Sequence, residues 1–149
     1  MHISAKVDYA MRALVELVGA EQTVIRADLL AEVQGIPIRF LERIMGELRR
    51  AGIVLSQRGA HGGYRLARPA EQITVADVIR AIDGPLAEVR GDRPENRSYV
   101  GAAEPLREVW VAVRASLRNV LEEVTVAQIA TNQLPAAVTA LTERPEAWH

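Results

Sequence analysis

The chain has 149 residues, of which 49% are apolar and 25% charged, with a formal net charge of −1; this is the size and balance of one globular domain, or one domain with an arm. It has no cysteine, which excludes a disulfide framework, a zinc–thiolate site, a catalytic thiol and a cysteine-ligated iron–sulfur cluster. No apolar run approaches the roughly 18 residues needed to span a bilayer, and Met1-His2-Ile3-Ser4-Ala5-Lys6 lacks a signal-peptide apolar region, so the expected location is the cytoplasm, with no membrane partner.

In chain order, Val7, Ala10, Met11, Leu14, Val15 and Val18 recur at three- and four-residue spacing. They predict an amphipathic helix over 4–19, capped by Ser4 and stopped by Gly19. A short connector, 20–25, leads to a second helix from Arg26 to Gln34 with Leu29, Leu30 and Val33 apolar, ended by Gly35. Pro37 opens a third helix that runs to about Ala51, with a buried stripe of Ile38, Leu41, Ile44, Met45 and Leu48, and Gly52 closes it. Two helices joined through a short glycine-containing turn form a helix-turn-helix pattern.

Ile53-Val54-Leu55-Ser56 and Tyr64-Arg65-Leu66-Ala67 read as strands around Gln57-Arg58-Gly59-Ala60-His61-Gly62-Gly63. A glycine-rich hairpin directly after the second helix of a helix-turn-helix is a wing. A phosphate-cradling nucleotide loop fits poorly, because these glycines lead into a strand and not into a helix N-terminus. Thr74-Val75-Ala76-Asp77 resembles a capping box and opens a fourth helix with core residues Val75, Val78, Ile79 and Ile82, stopped at Asp83-Gly84-Pro85.

Residues 83–103 show no helical period, and a loop of that length suggests a function. Leu106, Val109, Trp110, Val113, Leu117, Val120, Leu121 and Val124 then mark a helix of about 20 residues and roughly 30 Å. So long an apolar seam calls for a partner surface, most simply a second copy. Thr125-Val126-Ala127-Gln128 is a second capping box, opening a short helix to about Asn132, and 133–149 should hold a helical turn and a frayed tail.

Charge is uneven along the chain. Residues 36–68 carry seven arginines against Glu42 and Glu47, whereas 69–149 carry eight basic and twelve acidic residues. A local arginine-rich segment suits phosphate and guanine recognition, although a solvated helix face has the same composition. Ser4, Ser56, Ser98 and Ser116 lack a paired His and Asp at any recognisable spacing, so an enzyme is not expected.

Several segments together resemble the Rrf-type family of bacterial winged-helix transcription regulators. They are Ser4–Ala10, Gly35-Ile36-Pro37-Ile38-Arg39-Phe40-Leu41-Glu42, Leu48–Val54, the wing Arg58–Leu66, Ile73–Ile79 with Ile82-Asp83, and Val124-Thr125-Val126. The resemblance covers about 1–132. It implies a mainly α fold: a winged helix-turn-helix DNA-binding domain with a two-stranded wing over 1–82, an effector or sensor-type loop over 83–103, a long dimerisation helix and a short helix over 104–132, and a C-terminal tail over 133–149. It implies a homodimer on double-stranded DNA, more a repressor than an activator, with recognition helices in successive major grooves. Pro37, Ile38, Arg39, Phe40, Glu42, Arg43, Arg58 and His61 fall where family members meet DNA, with Arg58 at the minor-groove wing position; for Phe40, packing against the wing is an equal alternative.

Many family members hold an iron–sulfur cluster through cysteines of the loop that here is 83–103, and this chain has none, so no cofactor is expected. It looks like the cluster-free branch, controlled by a small molecule or by a metabolic enzyme such as cysteine synthase. Arg90, Arg93, Arg97, Tyr99, Arg107 and Trp110 are the candidate effector residues, a solvated loop against a core Trp being the plainer reading. A winged-helix protein-interaction module without DNA function is the alternative from another class.

Overall fold

The computed structural model describes residues 1–20 and 23–149, so part of the expected 20–25 connector lies outside the described residues. Among the described residues, seven α-helices and one hairpin follow in chain order: α1 (Ala5–Leu17), α2 (Ala27–Gln34), α3 (Ile38–Arg50), β1 (Val54–Gln57), β2 (Gly63–Leu66), α4 (Val75–Ile82), α5 (Leu106–Leu121), α6 (Val126–Ala130) and α7 (Ala136–Thr142). The mainly helical winged helix-turn-helix expected from the sequence is the observed fold, with a two-stranded wing and a long helix near the C-terminus. Among the described residues no helix is long and apolar enough to cross a membrane.

Helix boundaries follow local chemistry. The Ser4 hydroxyl accepts from the Val7 N–H at 3.2 Å and starts α1. Gly35, at φ 62°, ends α2: its N–H donates to Glu32 O, and the Ile36 N–H donates to Ala31 O. Gly52, at φ 74°, ends α3 in the same way, with Gly52 N–H to Arg49 O and Ile53 N–H to Leu48 O. Each is a Schellman stop, in which the left-handed residue turns the chain and the next apolar residue packs back on the helix it left. Ile36 and Ile53 are accordingly buried, and the chain is aimed from α2 into α3 and from α3 into the wing.

α1 is the central helix. Val7, Ala10, Ala13, Leu14 and Leu17 are buried, and α1 packs on α2, α3, α4, α6 and β2. Leu30, Leu41, Ile44, Met45, Leu48, Ile53, Val54, Ile73, Val78 and Val126 complete the core. The Lys6 ammonium meets Glu47 at 2.9 Å and ties α1 to α3. Two capping boxes lie side by side, Thr74 with Asp77 and Thr125 with Gln128, joined by Val75 N–H to Val124 O and Val126 N–H to Ile73 O. This bridge seats the end of the long-helix segment on α4.

Several expectations need correction. Ile38 is 40% exposed and stands outside the α3 stripe. Leu29 and Val33 of α2 also face outward, and Leu30 carries the burial. Pro37 is the cap of α3, one residue before the helix, and both strands sit one residue away from their expected limits. α5 has 16 residues, about 24 Å at 1.5 Å per residue, because the chain turns after Leu121 toward the Thr125 cap. The 83–103 segment is pinned internally. The Arg97 guanidinium donates to Val89 O and Arg90 O, Asp92 accepts from Arg93 N–H and Asn96, and Leu86 and Pro94 are buried. The tail contains α7 and a short 3-10 turn, Pro145–Trp148, whose Trp148 indole N–H donates to Thr142 O.

Candidate nucleic-acid interface

An open groove of about 670 Å³ lies between α3, the wing and the start of α2. Its α3 wall is the row Ile38, Glu42, Gly46 and Arg49, spaced four, four and three residues and therefore on one helix face. The opposite wall is Ser56, Gln57 and Arg58, and Arg26 and Asp28 close one end.

Glycine makes the wing wall possible. A Cβ on Gly63 would lie 2.6 Å from the Ile25 carbonyl carbon, closer still to its oxygen, and 2.9 Å from Arg26 N. That approach exists because Ile25 and Tyr64 exchange both backbone hydrogen bonds at 2.8 Å, which fastens the wing to the segment leading into α2. At the tip, Gly59 takes φ 103° and accepts from the Gly62 N–H.

The charge of the surface follows from what is already paired. Glu47 is held by Lys6, Arg68 by Asp77 and Arg26 by Asp28. The Arg26 hydrogen bond keeps the Asp28 carboxyl below the usual aspartate range. Among the described residues Arg39, Arg43, Arg49, Arg50, Arg58 and Arg65 have no carboxylate partner, and Glu42 is the acid left facing the groove. Pro37 offers no capping side chain, so the first N–H groups of α3 are open to an anionic oxygen.

Of the residues singled out in the sequence, Pro37, Ile38, Arg39, Glu42, Arg43, Arg58 and His61 are exposed on or beside this surface. Phe40 is half-buried, its ring edge-on to Tyr9 of α1 at 5.6 Å and 88°. Its resolved aromatic partner is therefore α1, not the wing. Arg49, Ser56, Gln57 and Arg26 line the groove but were missed by sequence reading. The row spacing from Ile38 pointed to Arg49; the other three depend on how the wing folds back.

The candidate effector residues do not form one site. Arg97, Tyr99 and Arg107 line a cleft of about 600 Å³ beside the start of α5, but Arg97 donates to backbone carbonyls and Arg107 Nε donates to Glu95 O. Arg93 lines a different cleft, between α4 and α5. Arg90, at φ 54°, points out from the loop, and Trp110 is half-buried on α5.

Comparisons with known proteins agree with this fold. Residues 3–132 match the Rrf2 family, described as "Iron-dependent Transcriptional regulator". The chain is 49% identical over 148 residues to Rv1287 of Mycobacterium tuberculosis, which carries a provisional HTH-type transcriptional regulator name; the alignment covers 96% of this chain and 89% of that one. It is 33% identical over 134 residues to the HTH-type transcriptional regulator CymR of Bacillus subtilis, covering 88% and 91%. Among solved structures, CymR of B. subtilis, the "Global Cysteine Regulator", superposes with a TM-score of 0.74 at 30% identity, covering 89% of this chain and 98% of that one. IscR of T. potens superposes at 0.70 and 30%, covering 89% and 88%.

The family's iron does not fit this chain. There is no thiolate to ligate a cluster, and among the described residues no three His, Cys, Asp or Glu side chains converge where they could hold a metal ion. In loop 83–103 the Asp92 carboxylate is occupied by Asn96 and the Arg93 N–H, and Glu95 by Arg114. A winged helix-turn-helix with an arginine-rich surface beside its wing and no cysteine, matched from residue 3 to residue 132, defines the chain: it belongs to the Rrf2 family of HTH transcriptional regulators, which is not a family of enzymes.

Proposed function

We propose that the protein is a cytoplasmic, homodimeric transcriptional repressor that reads a palindromic operator. The observation that carries this reading is the exposed groove between α3 and the wing, bordered by arginines that have no carboxylate partner among the described residues. In this reading α3 enters the major groove. Glu42 accepts from a cytosine amino group, and Arg39 and Arg43 take guanine or phosphate. The Pro37–Ile38 turn approaches the backbone through free N–H groups, Arg58 enters the minor groove, and His61 lies beside phosphates. Arg49 and Gln57 join them as contacts from the groove walls, while Phe40 acts indirectly by holding α3 on Tyr9.

Two copies associate through α5, where Leu106, Val109 and Val113 are 38%, 48% and 44% exposed along one face. In this reading the two recognition helices stand in successive major grooves about 34 Å apart, one turn of duplex. Control is by a small metabolite or a protein partner and not by an iron–sulfur cluster. The similarity to a cysteine regulator favours sulfur metabolism, with cysteine synthase as a candidate partner.

The test is selection of bound sites from a random duplex library, followed by titration of the selected site at several salt concentrations. Binding should weaken steeply with salt, and Arg58→Ala should lower affinity by removing the minor-groove contact. No enriched sequence, salt-insensitive binding and indifference to Arg39→Ala and Arg58→Ala would instead identify a protein-interaction module.

A further inference from the structure

Between α4 and α5 lies a cleft of about 430 Å³ whose walls hold Arg80, Arg93, Arg114 and Arg118 over the buried apolar side chain of Leu86. The arginines come from three places: the last turn of α4, the 83–103 loop, and two positions one turn apart on α5. Most of the nearby acid positions these cations. Glu122 bridges Arg80 and Arg118, and Glu95 lies 2.6 Å from Arg114 Nη1. These pairings engage one nitrogen on each guanidinium, which has five N–H donors in all. Arg93 has no carboxylate ion pair among the described residues, and Glu88 is the remaining acid on the lining.

We infer that this cleft is the effector site, and that it takes a small multiply charged anion bearing phosphate or carboxylate groups. The inference rests on the proposed regulator function and gives it a ligand class and a route of control. Arginine forks hold such groups bidentately, and a cavity of several hundred Å³ accommodates a metabolite. A bound anion would tie α4 of the winged domain to α5. It would also compete with Glu122 and Glu95 for the arginines, and so shift the angle between the reading surface and the exposed seam of α5.

The experiment is calorimetric titration of the full chain, without DNA, using inorganic pyrophosphate in one arm and citrate in the other. Saturable binding of one anion per chain is expected. It should weaken roughly tenfold, the loss of one charge-assisted hydrogen bond, in Arg93→Ala, a variant that breaks no ion pair. Glu88→Gln should tighten it, and Arg90→Ala, in the same loop but outside the cleft, should leave it unchanged. Binding of pyrophosphate alone assigns a phosphorylated ligand, and binding of citrate alone a polycarboxylate. Flat titrations in both arms overturn the site, as does binding lost in Arg58→Ala but kept in Arg93→Ala, which would put the anion in the DNA groove. Because the readout is free of DNA, a flat titration beside intact, salt-dependent operator binding removes the effector site and leaves the regulator reading standing.

Discussion

Gly63→Ala tests how the wing is held. The glycine's backbone φ is not in the left-handed region, so the substitution carries no conformational strain of its own. Its effect is steric. The new methyl would sit 2.6 Å from the Ile25 carbonyl carbon and 2.9 Å from Arg26 N, and both neighbours are backbone that cannot rotate away. The two segments must separate, which breaks the reciprocal 2.8 Å hydrogen bonds between Ile25 and Tyr64. Two such bonds contribute about 1–3 kcal/mol net. For a chain of this length, a loss of about 2 kcal/mol lowers the thermal midpoint by roughly 4–8 °C. The assay is thermal unfolding together with amide exchange at Ile25 and Tyr64, whose protection should drop selectively, and operator affinity should fall as Arg58 loses its mounting. An unchanged midpoint with both amides still protected would refute the claim that close backbone approach, and nothing else, requires glycine at 63.

Other expectations follow from the same geometry. Gly46→Ala should raise stability by about 0.5–1 kcal/mol in denaturant unfolding, because its Cβ would meet only the Arg50 Nη1 at 3.6 Å and alanine is the better helix residue; it should also weaken DNA binding, since the methyl enters the groove wall, and a destabilised variant would contradict this. Val113→Glu, at an exposed position, should leave the monomer folded but shift sedimentation from dimer toward monomer at micromolar concentration; an unaltered dimer would remove α5 from the proposed interface. Arg80 foremost, and then Arg118, hold the Glu122 carboxyl below the usual glutamate range. Its contribution is therefore present above the unfolded value of about 4.3 and is lost as pH falls through that value toward the lower folded one. Urea unfolding of Glu122→Gln should show a shallower loss of stability on that acid limb than the parent chain, and parallel limbs would exclude the pairing as a stabilising contact.

What the sequence determined by itself was the local structure. Gly35 and Gly52 as helix stops, Ser4, Thr74 and Thr125 as caps, and the glycine hairpin after α3 each act within a few residues, and all appear where the sequence places them. The order of those signals sufficed for a winged helix-turn-helix, and the absence of cysteine sufficed to exclude a cluster ligated by thiolates. Tertiary structure decided which faces meet. Periodicity marked Ile38 and Val33 as apolar, but only packing leaves them exposed while Leu30 and Leu41 fill the core. The fastening of Tyr64 to Ile25 is a pairing between distant segments that no local pattern encodes. The loop arginines looked alike in sequence, yet folding ties Arg97 and Arg107 to backbone carbonyls and gathers Arg93 with Arg80, Arg114 and Arg118 from two helices. Caps and turns are settled by neighbours along the chain, whereas burial and charge convergence depend on groups dozens of residues apart, which meet only once the core around α1 has formed.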